Sequence, residues 1–552
     1  MTTTPNPPPY YVEPFSADER AVLSRFFTNV DGPVYAIVNL PEVVKGALFA
    51  RYSRSPKSVR RLFLDEFYSA PEVGIAAVAA TANEPDQDEA VRLKRAEDLY
   101  QRVFSEYGDD SVAQLGGAHL ACEQASNILT KVLEWGRLAS YLEQSTRYIF
   151  YDQRLGDRYR YMVPPEIAAS PHAATYTETM EWLFDTYSNL LTRMVPYYET
   201  LHPRADGDSG FVWRSTIRAK ACDDLRGLLP AATTSNVGIF GSGQAYEMMM
   251  LRMRAHPSVE VRTYADLMLT ELRKVIPAFM KRVDVPERGG RWTGYLADIA
   301  TRMTQQAAAL GASPQSRPEV TLVEWDPDAE VKTAAAALYA YTDLPDDQLL
   351  DIVRAMTPEQ QTALIRDYVG NRTNRRHKPG RGMERSDYRF DILCDYGIFR
   401  DLQRHRMLTI DWQQLSPTHG YVTPASIDDV GAAAQWEEAM QRTAQLYDTV
   451  AADLGGAVAQ YAVPFAYRVR FMMQLNAREA FHLIELRTAP GGHPDYRRVC
   501  QEMHSLIRDR AGHRTIADAM SFVDYSSYDL ARLEGERRAA AKRAALGVDD
   551  PE

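Results

Sequence analysis

The chain of 552 residues is poor in cysteine and has no long apolar run. Its four cysteines, Cys122, Cys222, Cys394 and Cys500, lie far apart with no C-x-x-C spacing. That pattern excludes a ribbon-type zinc site and a dense disulfide framework, and leaves buried reduced thiols. No stretch of about 20 apolar residues is present, so no membrane-spanning helix is expected. The start, MTTTPNPPPYYVEP, lacks the basic and apolar regions of a secretory signal. Positive charge is also short: 63 Lys and Arg stand against 74 Asp and Glu, a formal net charge of −11. This weighs against a broad nucleic-acid surface. The lone Gly-rich turn GIFGSGQA lacks the lysine of a phosphate loop. A cytoplasmic protein without a metal, membrane or nucleic-acid partner is expected.

What is present points to a helix-rich α+β protein. Hydrophobic residues make up 45% and charged residues 25%, as in soluble globular chains, and the length calls for at least two cores. Residues 1–30 read as a Pro-rich flexible leader. Helical patterns follow in KSVRRLFLDEFYSA, EAVRLKRAEDLYQRVFSEYG and ATYTETMEWLFDTYSNLLTRMVPYYETL. An Ala/Gln/Ser/Pro stretch marks a linker at 301–318. VTLVEW then reads as a strand, VKTAAAALYAYT and TPEQQTALIRDYVG as helices, and 531–552 as a charged helical tail. The order of features repeats, with a Leu229-Pro230 step in one half and Val463-Pro464 in the other. Two tandem domains are therefore expected at 31–300 and 319–530.

Each half carries one end of a motif. The second contains Arg404-His405-Arg406 and the first Glu143-Gln144-Ser145-Thr146-Arg147-Tyr148. Downstream, QLNAREAFHLIELR supplies Asn476, Arg478, His482 and Arg487, while DDLRGLLP supplies Arg226. The ungapped separation from Arg226 to Ser242 equals that from Gln460 to Asn476. On a helix Asn476 and Arg487 share a face, whereas Arg478 and His482 are expected on roughly the opposite one. The basic run NRTNRRHKPGRGMER, with His377 and Glu384, reads as a loop leading into a site.

These segments resemble the signature of flavin-dependent thymidylate synthases, R-H-R-x-x-S-x-N-x-x-S-x-R-Y, with its N-A-R and A-R-x-x-L-P elements. Departures from the pattern divide between the halves. Asp411, Gln414 and Ser416 interrupt the signature after Arg406, while Trp135-Gly136 and Leu142 interrupt it before Ser145. Arg385 stands where the family has a second histidine. The resemblance implies two synthase-like domains and an FAD site built from Arg404, His405, Arg406, Asn476, Arg478, His482 and Glu384. It implies that Arg487 acts on the pyrimidine, and that Glu143, Gln144, Ser145, Arg147 and Arg226 hold deoxyuridine monophosphate. Arginine suits both roles, because its guanidinium binds phosphate bidentately and stays charged. The implied reaction is reductive methylation to thymidine monophosphate with methylenetetrahydrofolate and NADPH, in a homodimer whose four repeats imitate the family's tetramer. The alternative is an inactive nucleotide- or flavin-binding relative with a regulatory or scaffolding role.

Overall fold

The computed structural model describes residues 9–40, 48, 52, 55–68, 117–206, 208–530 and 532–545. The segment EAVRLKRAEDLYQRVFSEYG lies outside them. Two four-stranded sheets share one connectivity. In the first, β1 (Val34–Ile37), β2 (Gly117–Ser126), β3 (Ala139–Glu143) and β4 (Thr234–Ser242) take the order β1-β2-β4-β3. In the second, β5 (Val320–Trp325), β6 (Asp387–Asp395), β7 (Thr409–Trp412) and β8 (Arg468–Asn476) take the order β5-β6-β8-β7. Every pairing is antiparallel. The chain is thus the tandem, helix-rich α+β protein its sequence suggests, with VTLVEW forming β5.

The repeats match down to their helix caps. Ser126 ends β2 and accepts the Leu129 N–H, and Asp395 ends β6 and accepts the Ile398 N–H. Ser242 and Asn476 do the same after β4 and β8, for Ala245 and Glu479. A short polar side chain at each strand end satisfies an N–H that a helix start leaves unpaired. One difference stands out. The β6–β8 register runs unbroken, whereas β2 is bulged between Cys122 and Ala125, and Gln124 there has φ 54.

Packing divides the chain into two compact units that do not follow the linear repeats. The first holds Met1–Asn189, Leu228–Ser313 and Glu437–Pro464; the second holds Leu190–Gly227, Pro314–Trp436 and Phe465–Glu552. The switch at Ser313/Pro314 falls inside the expected linker, whose first part continues the fully unburied helix Arg291–Ala309. The packing units thus differ from the linear repeats at 190–227 and 437–464, segments whose packing non-local contacts decide.

In the first unit, helices Gly243–Arg254 and Val259–Val275 cover the sheet, burying Ile239, Met250, Tyr264 and Met268 completely. Removing each from water contributes about 1.5–3 kcal/mol. The leader is not loose from residue 9 onward: Phe15, Leu23, Phe26 and Phe27 enter a core beside β1, and Ser16 and Glu19 form a capping box on Ala17–Leu23. The segment from the second repeat is woven in. Ala231 N–H donates to the Val463 carbonyl at 2.8 Å, so the two equivalent Pro steps lie against each other. Tyr461 Oη and Ser126 Oγ each meet Glu260 Oε2 at 2.6 Å in a buried network.

The second unit is built around Phe390, Phe399, Phe471, Met473 and Ile484, all essentially buried. Its borrowed segment is held by charge and by close packing. Arg532 Nη2 donates to both Asp223 oxygens at 3.0 Å, and Arg537 pairs with Asp208 at 2.7 Å. A Cβ on Gly227 would meet Trp436 Cη2 at 2.7 Å and Ala466 Cβ at 3.2 Å. The tail is thus a helix, Leu533–Ala545, whose preceding Arg532 anchors it. All four cysteines are free and buried. No helix among the described residues is long and apolar enough to cross a membrane.

Candidate functional site

Helix Tyr396–Leu402, started by its Asp395 cap, delivers Arg404-His405-Arg406 as a turn before β7. Helix Ala477–Arg487 starts at Asn476 and lies alongside. A cavity of about 280 Å³ is lined by Arg404, His405, Arg406, Asn476, Arg478, His482, Arg487 and Glu384, together with Lys378, Met407, Glu479 and Leu486. Every flavin-side residue picked from the sequence lines it. At about 100° per residue, positions 478, 479, 482 and 486 fall on one helix face. The expected split of Arg478 and His482 from Arg487 is therefore corrected, since the last-turn Arg487 side chain reaches round to the same cavity. The basic run also enters: Arg478 Nε donates to the Pro379 carbonyl at 2.9 Å, and its Nη1 meets Glu384 at 3.2 Å.

His405 is fixed in one tautomer. Its Nε2 accepts from Arg487 Nε at 2.9 Å, so Nδ1 carries the proton and donates to Glu479 Oε1 at 3.2 Å. Burial, then the charges of Arg487, His482 and Lys378, hold this imidazole well below its usual pKa. Burial pushes Glu479 up to about 7, against the pull of Lys378 and Arg478. Burial and the cations Lys378, Arg375 and Arg487 bring His482 down to about 4. His405, Glu479 and His482 present ligand atoms within 4.8 Å of one another. Arg487 already occupies His405 Nε2, and the surrounding cations oppose a metal ion. Five cations against two carboxyls make this a cavity for anions.

Behind it sits a cluster organised by Asp401. This carboxylate lies 3.4 Å from Arg226 Nη1 and 3.9 Å from Nη1 of both Arg404 and Arg487. Arg487 also donates to the Asp401 backbone carbonyl. Arg226 thus comes from the first repeat yet belongs to the second unit, with the flavin-side residues. It is buried, 3% exposed, and its charge also holds down Asp395, which burial raises to about 7. Arg226 does not line the cavity; it is held beside Asp401 by an ion pair.

The other nucleotide-side residues lie in the first unit. Glu143 is buried against Lys131 at 3.3 Å, and Lys131 pairs with Glu134 at 2.6 Å. Gln144 N–H donates to the Asn236 carbonyl at 2.9 Å, and its side chain to the Ser55 carbonyl. Ser145 Oγ accepts the Arg147 N–H at 3.2 Å, and Arg147 is half-buried. His377 lies outside the cavity lining and bonds within its own loop to Asn374. Sequence reasoning missed Glu479, Asp401 and Lys378. Helical spacing from Arg478 and His482 could have found Glu479; nothing local distinguishes Asp401.

Comparison with known proteins agrees with the duplicated architecture. Residues 65–278 and 321–511 each match the family model described as thymidylate synthase complementing protein. A UPF0159 protein of Chlamydia muridarum is 39% identical over 531 residues, covering 96% of this chain and 99% of its own. One from Thermoplasma acidophilum is 31% identical over 91% of this chain and 99% of its own. A flavin-dependent thymidylate synthase of Clostridium tetani is 27% identical over 222 residues, 39% of this chain and 83% of its own. Among solved structures, the UMP/dUMP methylase PolB of Streptomyces cacaoi aligns with 38% of this chain and 96% of its own at 17% identity, with a TM-score of 0.29.

Proposed function

Because the chain belongs to the thymidylate synthase complementing protein family, we propose that its second-unit cavity is a flavin site serving reductive methylation of deoxyuridine monophosphate. The carbon donor is methylenetetrahydrofolate and the reductant NADPH. One observation carries the reading: Arg404, His405, Arg406, Asn476, Arg478, His482, Arg487 and Glu384, scattered over three segments, converge on one cationic cavity. Its volume of about 280 Å³ lies just below the roughly 300–1,000 Å³ of small-molecule sites, so it suits one part of a dinucleotide rather than the whole. When bound, the flavin supplies hydride chemistry.

The residues of the chain bind and polarise. Arg404, Arg406 and Arg478 offer charge-assisted donors to phosphate and ring carbonyls, each contributing roughly 1.5–3 kcal/mol. Neutral His405, held by Glu479 and Arg487, positions the guanidinium of Arg487. Arg487 stabilises negative charge that develops on the pyrimidine. Ser145 and Arg147 supply the nucleotide side, and two chains paired as a homodimer provide four repeats. Such a protein is yellow as purified, and deoxyuridine monophosphate accelerates its NADPH oxidation. Arg404→Ala and Arg147→Ala each abolish turnover; a substitution that leaves it intact overturns the division of labour.

A second reading has its own support. Arg226 and Glu143, expected to hold nucleotide, are both buried in ion pairs. A nucleotide- or flavin-binding protein without turnover, with a regulatory or scaffolding role, accommodates that. A stoichiometric flavin spectrum with nucleotide-independent NADPH oxidation selects it.

A further inference from the structure

The first unit contains a cationic cleft that shares only Gln144 with the motif residues. Two adjoining cavities, of about 320 and 210 Å³, share Tyr11, Gln124, Leu155, Arg160 and Thr234. The charges lining the larger one are nearly all matched. Arg60 pairs with Glu123 at 3.1 Å, Arg61 with Glu13 at 3.0 Å, and Lys57 with Asp65 at 3.0 Å. Arg160 is the exception. Its Nε is buried and meets no hydrogen-bond partner among the described residues. The Tyr151 ring lies 6.0 Å from its guanidinium. Burial holds its pKa below the usual arginine value, opposed by Tyr151 and Asp152. A half-buried guanidinium that makes no ion pair among the described residues gains from an anion that can reach it.

The cleft also has a cover. Tyr11 N–H donates to Gln124 Oε1, and Gln124 Nε2 donates to the Tyr11 carbonyl, both at 2.9 Å. Gln124 reaches the leader from the β2 bulge at φ 54, a left-handed conformation unusual for a residue other than glycine. Its own N–H is held by Asn236 Oδ1 at 2.9 Å. The bulge thus aims one side chain at the extended leader segment at Tyr11, which lines both cavities together with Arg160. The unbroken β6 has no counterpart of this bulge.

We propose that Arg160 is the anchor of a second ligand site, in the first unit, for a small organic oxyanion held under the leader strap. The guanidinium takes the carboxylate or phosphate monoester, and the Gln144 side-chain oxygen, the Asn236 side-chain nitrogen and the Thr234 hydroxyl are the polar groups offered to an uncharged body. The volume of the larger cavity falls within the small-molecule range.

The test uses full-length protein carrying Arg404→Ala and Arg487→Ala, so that the second-unit cavity does not compete. Equilibrium dialysis is run separately with labelled inorganic phosphate and labelled acetate. One saturable equivalent per chain is expected for at least one probe, weakened at least tenfold by Arg160→Gln and weakened also by Gln124→Ala. Phosphate alone assigns a phosphate ester, acetate alone a carboxylate, and both the shared chemistry. Absence of saturable binding, or binding indifferent to Arg160→Gln, overturns the proposal. Should Arg160→Gln not fold, hydrogen exchange of the Tyr11 amide in the unsubstituted chain decides. Saturating probe slows it if the strap closes over a ligand, and unchanged exchange overturns the site.

Discussion

Asp401→Asn should move two properties in opposite directions. The carboxylate faces Arg226 at 3.4 Å and Arg404 and Arg487 at 3.9 Å, with Arg226 and Asp401 side chains only 4% and 10% exposed. Removing one partner of a buried pair costs about 3–5 kcal/mol, because the remaining charge stays desolvated. Asparagine keeps one acceptor, so the lower end applies, and the unfolding midpoint in urea should fall accordingly. Anion binding should strengthen. A phosphate held by Arg404 and Arg487 sits on the order of 8 Å from Asp401, where repulsion at an effective dielectric of about 20 is about 2 kcal/mol. Its loss tightens phosphate binding roughly thirtyfold. Urea titration and phosphate calorimetry on the same preparation read both effects. Adding Arg226→Met should recover stability, since the stranded charge goes with it. An Asp401→Asn protein with unchanged midpoint and unchanged phosphate affinity would refute the role given to this carboxylate.

Other outcomes follow from the same geometry. Glu479 is pushed up to about 7 by burial, so it is mostly protonated below neutrality and adds negative charge to the cavity above it. Phosphate affinity should fall as pH rises through 7, and Glu479→Gln should flatten that profile. The same shift means the folded state holds a proton that the unfolded chain releases near its ordinary value of 4.5; its contribution to stability should decline between 4.5 and 7. Arg487→Lys loses both the Nε donor to His405 and the Nη2 donor to Asp401, so flavin binding monitored by absorbance should weaken at least tenfold despite the retained charge. Gly227→Ala forces a methyl into Trp436 and Ala466 and should lower stability by about 1–3 kcal/mol in urea unfolding.

Legibility followed range along the chain. Helices such as Ala173–Leu201 and Pro358–Val369, and the strand β5, were readable because their signals are local: apolar spacing, a Thr357 cap, a short β-branched run. The cavity residues were named through resemblance to the family's motifs; helical spacing alone set Arg478 and His482 apart from Arg487, with which they share the cavity. Arg226 shows where this stops. Its type and spacing were visible, but its burial against Asp401 depends on a segment packing with a sheet far along the chain. Glu143 is likewise paired with Lys131 from a neighbouring helix, a contact its own segment does not show. The leader misled through its prolines, which mask Phe15, Leu23, Phe26 and Phe27 a few residues later.

The exchange of segments between repeats sets a timetable for biosynthesis. The stretch Leu190–Gly227 emerges from the ribosome well before Pro314–Trp436, with which it packs, and the first unit waits longer for Glu437–Pro464. At roughly 5–20 residues per second, those partners are missing for on the order of ten seconds. Apolar side chains such as Val212 and Ile217, buried in the finished protein, are exposed during that interval. Nascent chains should therefore depend on chaperones. Cutting the gene at the linker should yield two insoluble fragments, each lacking a piece that only the other can return on co-expression.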